Sequence, residues 1–150
     1  MKIFCPASFA ELEVILEHAV TDCDGPVAVR YPRGGECGYA DLHPERECIL
    51  RPGDDLTLVA YGTLIGEALK AAALLERQGI SAEVIKLSEA DGNRFPIVMQ
   101  SLSRTHRLLA AEEVCAAGCI GEVLSANAAE EGIPLRSVFL NLGELTIIRS

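Results

Sequence analysis

Two arginines three residues apart, Arg30 and Arg33, close a short apolar run in "GPVAVRYPRGG", residues 25–35. A guanidinium offers forked N–H donors that match the oxygens of a phosphate or carboxylate. The chain around them is acidic, with 13 basic and 22 acidic residues and a net charge of −9. In that setting the pair has two readings. The arginines hold the anionic group of a substrate, or they neutralise nearby carboxylates such as Glu36 and Asp41. The residues alone leave both open. Pro32 and Gly34 flank Arg33, which stiffens its approach and leaves the backbone open on its far side.

Other residues invite the same question. Glu112 and Glu113 end an apolar run, at the kind of strand end where α/β ligand sites gather. Their plainer role is to anchor the turn that follows. Gly62-Thr63 stands between an expected strand and an expected helix. A helix N-terminus there could take an anion, but Thr63 as an N-cap is the reading preferred. His18, His43 and His106 lie far apart in unlike contexts, with His106 expected at the surface or as a cap. No Ser/His/Asp constellation can be assembled. The six cysteines are expected to be free thiols. None is spaced C-x-x-C. Cys115 and Cys119 are four apart without a nearby histidine, so no zinc site is expected there.

Composition narrows the partners. An acidic chain attracts neither nucleic acid nor an anionic membrane. Three tyrosines and four phenylalanines, with no tryptophan, are too few for a base-stacking surface. No apolar stretch is long enough to span a membrane. The N-terminus "MKIFCPASFAELE" turns polar too early for a signal peptide, which implies a cytoplasmic protein.

The elements that would position these residues are legible. Residues 8–20 read as a helix opened by the capping-box pair Ser8 and Glu11, with Leu12, Ile15, Leu16 and Ala19 on one face. Val27–Arg30 reads as a strand. Residues 35–55, rich in glycine and proline, read as a linker with a short strand-like piece near Cys48–Leu50. Then the pattern turns regular. "DLTLVAYG", "ISAEVIKL", "HRLLAAEE" and "PLRSVFLNLG" read as strands. "TLIGEALKAAALLERQG", a short stretch from Pro96, and "GCIGEVLSANAAEEG" read as helices between them. The runs Leu56–Ala60 and Leu108–Ala111 are apolar throughout, as strands covered on both faces should be. The alternation predicts an α/β fold of three layers, a mostly parallel sheet with helices on both faces.

Several of these stretches together resemble the thiamine-diphosphate enzymes of the transketolase group, and within it the 1-deoxy-D-xylulose-5-phosphate synthase family. The resemblance rests on "GPVAVRYPRG", on "LTLVAYGTLIGEALKAA", on "RLLAAEEVCAAGCIGEVL" and on "SVFLNLG". It implies a transketolase C-terminal domain over 56–150, preceded by the last helix and strand of a pyrimidine-binding domain over 1–34 and the linker over 35–55. It departs from the family pattern at "SEADGN", where the family carries "PLD", and at "AGCIG", where it carries a double glycine and a serine. The resemblance implies a C-terminal segment of an enzyme that condenses pyruvate with glyceraldehyde 3-phosphate and releases carbon dioxide. The parent uses thiamine diphosphate and Mg2+. Their binding motifs are not in this chain, so neither is expected to bind it, and the chain alone is expected to be inactive. Arg33 matches the family position that holds the acceptor sugar's phosphate, with Arg30 the secondary candidate. The implied partners are the remaining domains of the parent, a second copy in a homodimer, and a phosphorylated sugar. The rival reading is a non-catalytic assembly domain of a transketolase-like or 2-oxoacid dehydrogenase-like complex.

Overall fold

The computed structural model describes residues 1–31, 38–92 and 94–143. The chain runs β1 (Lys2–Phe4), α1 (Phe9–Thr21), β2 (Val27–Val29), β3 (Glu47–Arg51), β4 (Leu56–Tyr61), α2 (Leu64–Glu76), β5 (Ala82–Leu87), α3 (Pro96–Thr105), β6 (Arg107–Ala111), α4 (Ile120–Glu130) and β7 (Arg136–Leu140). Five strands form one sheet in the order β3-β5-β4-β6-β7. Its β5-β4-β6-β7 part is parallel, and β3 joins the edge antiparallel to β5.

Side chains of β4 alternate between the two faces. Leu58 and Ala60 pack with Ile65, Ala68 and Ala72 of α2. Val59 and Tyr61 pack on the other face with Val98, Met99 and Leu102 of α3 and Leu124 and Ala128 of α4. The three expected layers are present, and a strand covered on both faces must be apolar throughout. Polar groups buried between β4 and α3 pair with one another. Thr57 Oγ1 lies 2.6 Å from both the Ser101 and Thr105 hydroxyls.

The expected elements lie where the periodicity put them, with ends shifted by up to three residues. Pro96 opens α3 at its first turn, where its missing N–H leaves no partner unpaired. His106, a positive-φ residue, closes α3 and donates its N–H to Leu102 O at 2.9 Å, the cap expected of it. The strand-like piece near Cys48–Leu50 is β3, a full edge strand within the stretch read as linker.

The N-terminal part makes a separate two-stranded parallel ribbon, β1 with β2. It is tied to the main sheet by backbone. Cys5 N–H donates to Ser88 O at 2.8 Å and Ala90 N–H to Ile3 O at 2.9 Å. Ser8 caps α1 as expected, accepting the Glu11 N–H at 3.1 Å. The Glu11 carboxylate has partners of its own. It accepts the N–H groups of Ala7 and His43 and pairs with Lys86 of β5 at 3.1 Å, with both side chains fully buried.

Candidate functional site

The ribbon delivers Arg30 to the carboxyl ends of the main sheet. Phe4 O accepts the Arg30 N–H at 2.8 Å, and the chain then leaves β2. Tyr61 ends β4, and Glu112 and Glu113 follow β6. The result is a cavity of about 100 Å³ lined by Cys5, Arg30, Tyr31, Tyr61, Gly62, Thr63 and Glu113. It lies where ligands gather in open α/β sheets, outside the carboxyl ends of parallel strands.

A relay of side chains runs inward from the mouth. Arg30 Nη1 lies 3.4 Å from the Tyr61 hydroxyl, and its guanidinium stands 5.6 Å from the Tyr61 ring centre. The Tyr61 hydroxyl donates to Glu112 Oε2 at 3.1 Å. Glu112, buried, accepts the N–H of Ile120 at 2.9 Å and of Gly121 at 3.1 Å. Its negative charge therefore caps the N-terminus of α4, where free N–H groups and the helix dipole favour it. The turn-anchoring role expected for the glutamate pair holds for Glu112. Gly121 has its own reason to be small, since a Cβ there would sit 2.4 Å from Phe139 Cδ1.

Thr63 corrects its expected role. It occupies the N-cap position of α2 but caps nothing with its side chain. The hydroxyl instead donates to Glu113 Oε2 at 2.9 Å, holding the two strand ends together across the mouth. Arg33 and Glu36 lie outside the described residues. Arg30 is the arginine described at the cavity, where it is joined by Gly62, Thr63 and Glu113, residues the sequence also singled out.

The groups lining the cavity are chemically suited to hold a ligand rather than to attack one. Arg30 supplies a permanent positive charge. Burial pushes the Cys5 thiol up to about 11, so it carries no appreciable thiolate near neutrality and is a poor nucleophile. Burial, with Glu112 beside it, also pushes the Tyr61 phenol up, which keeps it a hydrogen-bond donor. About 100 Å³ holds a phosphate-sized group and falls well short of the roughly 300–1,000 Å³ of a cofactor pocket. Thiamine diphosphate does not fit there. Mg2+ prefers an octahedron of oxygens. Among the described residues, the one group of three side chains able to hold an ion is His43, Glu45 and Cys48, which is not such a set. The five described cysteines are unpaired thiols, as expected.

Comparison with known proteins agrees with this architecture. The family model of the transketolase C-terminal domain matches residues 47–141. The 1-deoxy-D-xylulose-5-phosphate synthase of Rippkaea orientalis is 33% identical over 132 residues, which is 83% of this chain and 21% of that protein. The 1-deoxy-D-xylulose-5-phosphate synthase 1 of Geobacter sulfurreducens is 34% identical over 139 residues, 89% of this chain and 22% of the relative. The chain thus spans about a fifth of the length of these relatives. Among solved structures, a split-gene transketolase described as an inactive beta4 tetramer superposes with a TM-score of 0.84 at 29% identity, over 97% of this chain and 49% of that one.

Proposed function

The chain belongs to the transketolase C-terminal domain family, and we propose that it serves as the C-terminal segment of a 1-deoxy-D-xylulose-5-phosphate synthase. The parent would condense pyruvate with glyceraldehyde 3-phosphate and release carbon dioxide. Thiamine diphosphate with Mg2+ supplies the carbanion chemistry in such enzymes, held by domains outside this chain. In this reading residues 1–34 complete the neighbouring pyrimidine-binding domain, 35–55 link while lending β3 to the edge of the sheet, and 56–150 form the rest of the C-terminal domain. The chain acts in the cytoplasm and is inactive alone.

The observation that carries the proposal is Arg30 at the mouth of a phosphate-sized cavity at the strand ends, in a chain whose next residues read Y-P-R-G. Arg33 is assigned the acceptor's phosphate and Arg30 the flank of the same site. Thr63 and Glu113 would shape its far wall. No helix among the described residues is long and apolar enough to cross a membrane.

One finding favours a second reading. The split-gene neighbour is described as inactive in its tetrameric form. Exposed Val138 and Leu140 on the edge strand β7 offer an apolar surface for a second copy. In that reading the chain only assembles subunits.

Mixing the chain with a polypeptide that carries the cofactor-binding domains separates the two. The synthase reading expects carbon dioxide release from pyruvate that depends on glyceraldehyde 3-phosphate. A stable complex that never turns over, with every component folded, leaves only the assembly role.

A further inference from the structure

The sequence "HPEREC", residues 43–48, enters the main sheet along its edge. One ligand atom each from His43, Glu45 and Cys48 lies within 4.8 Å of the others. His43 and Glu45 already approach to 3.8 Å. An imidazole nitrogen, a carboxylate oxygen and a sulfur make the mixed, borderline-soft donor set that Zn2+ takes in tetrahedral sites, while Mg2+ and Ca2+ prefer oxygen alone. We propose that His43, Glu45 and Cys48 bind a zinc-class divalent cation, which clasps the incoming segment onto β3.

The backbone at His43 and Cys48 and next to Glu45 is held by hydrogen bonds. His43 N–H donates to Glu11 Oε1 at 3.1 Å, and His43 O accepts from Lys86 Nζ at 2.7 Å and from the Ser88 hydroxyl at 3.2 Å. Pro44 follows with a restricted φ. Arg46 O accepts the Ser88 N–H at 3.1 Å, and the Arg46 guanidinium donates to Asp91 O at 2.7 Å and to Glu89 at 3.2 Å. Cys48 sits in register with Lys86 in the β3–β5 ladder. Ligands held this way lose little entropy on binding an ion.

Charge and polar satisfaction point the same way. A thiolate and a carboxylate together offset a divalent cation. The neighbouring Lys86 is neutralised by Glu11 and does not oppose it. The buried Tyr39 hydroxyl has no hydrogen-bond partner among the described residues. Three protein ligands leave one tetrahedral position for a water. The clasp is separate from the Arg30 cavity and stands or falls independently of the synthase reading.

Cobalt(II) titration of the reduced, metal-stripped chain is the test, because Co2+ reports tetrahedral geometry and thiolate ligation by absorption and Zn2+ then displaces it. The expected result is one Co2+ per chain at micromolar concentration, with a thiolate charge-transfer band. Cys48→Ser should abolish that band. His43→Gln and Glu45→Gln should each weaken binding by about tenfold or more, the loss that even a ligand's hydrogen-bond partner brings. A Cys115→Ser, Cys119→Ser double variant should bind as the parent does. Hydrogen exchange over 38–46 should slow with Zn2+ in the parent and not in Cys48→Ser. All variants should melt like the parent in chelator, which separates lost ligation from lost fold. Retention of the band in folded Cys48→Ser, its loss in the Cys115/Cys119 variant, or no binding at micromolar Co2+ would overturn the proposal.

Discussion

Lys86 Nζ and Glu11 Oε1 stand 3.1 Å apart with neither side chain exposed, joining the helix of the N-terminal ribbon to the second strand of the main sheet. The carboxylate also serves Ala7 and His43 backbone donors. Removing one partner of a buried pair leaves an uncompensated charge, at a cost of about 3–5 kcal/mol. Glu11→Ala should lose about that much in urea unfolding. Lys86→Met should lose less, because Glu11 keeps two N–H donors. Equal losses would show that the pair, and not the backbone acceptor role, dominates.

Gly53→Ala should destabilise by about 1–3 kcal/mol, a cost of overpacking. A Cβ at position 53 would lie 2.3 Å from Ala82 C and Glu83 N, which are backbone atoms of β5 that cannot rotate away. Thermal melting checks this. An unchanged melting temperature would mean that the start of β5 yields easily.

Glu112→Ala should cost about 2–4 kcal/mol, since two N–H groups of α4 and the Tyr61 hydroxyl lose their acceptor. Tyr61→Phe should cost only about 1 kcal/mol. Hydrogen exchange in Glu112→Ala should rise first at the N-terminal turn of α4. Uniform exchange along the chain would contradict the capping role.

The alternation of apolar runs made the three layers and most element ends legible, because strands buried on both faces and helices closed by Gly79 or Gly132 leave local signatures. Other features depend on partners distant in sequence. β1 is three residues long and has no period to read, and β3, lying among glycines and prolines, was legible only as a strand-like piece near Cys48–Leu50. Glu11 looks like half of a capping box, and nothing local announces Lys86, 75 residues on. Thr63 has an N-cap's sequence position, but Glu113 competes for its hydroxyl from another strand. Arg30 was legible as a charge at a strand end, while Tyr61, its contact in the relay, becomes visible only when β2 and β4 are brought together. The spacing H-x-E-x-x-C was available to be read, but its three ligands converge only because Glu11, Lys86 and Ser88 fix the loop.

Stability should fall as pH rises from 9 towards 11. Burial raises the Cys5 pKa from 9.0 to about 11. In that window the unfolded chain has lost the proton that the folded chain keeps, so deprotonation favours unfolding. Burial raises the Tyr61 and Tyr39 phenols as well, with the same sign. Lys86 acts oppositely. Burial lowers its pKa below 10.5 against the pull of Glu11, so the unfolded state holds more protons and this contribution rises with pH. Cys5→Ala should flatten the fall between pH 9 and 11, and Lys86→Met should steepen it. A parent profile that is level across this range would contradict both assignments.

The central claim is that the Arg30–Arg33 segment holds the acceptor's phosphate, and steady-state kinetics of Arg33→Ala in the assembled enzyme test it most directly, with each substrate varied in turn. Losing a charge-assisted contact to phosphate costs about 1.5–3 kcal/mol. kcat/KM for glyceraldehyde 3-phosphate should therefore fall roughly ten- to a hundredfold, while the KM for pyruvate and the melting temperature stay at their parent values. Arg33→Lys should recover only part of the loss, since an ammonium cannot reproduce the guanidinium fork. An Arg33→Ala enzyme that handles both substrates equally badly and melts several degrees lower would contradict the claim, and would make Arg33 a structural ion-pair partner.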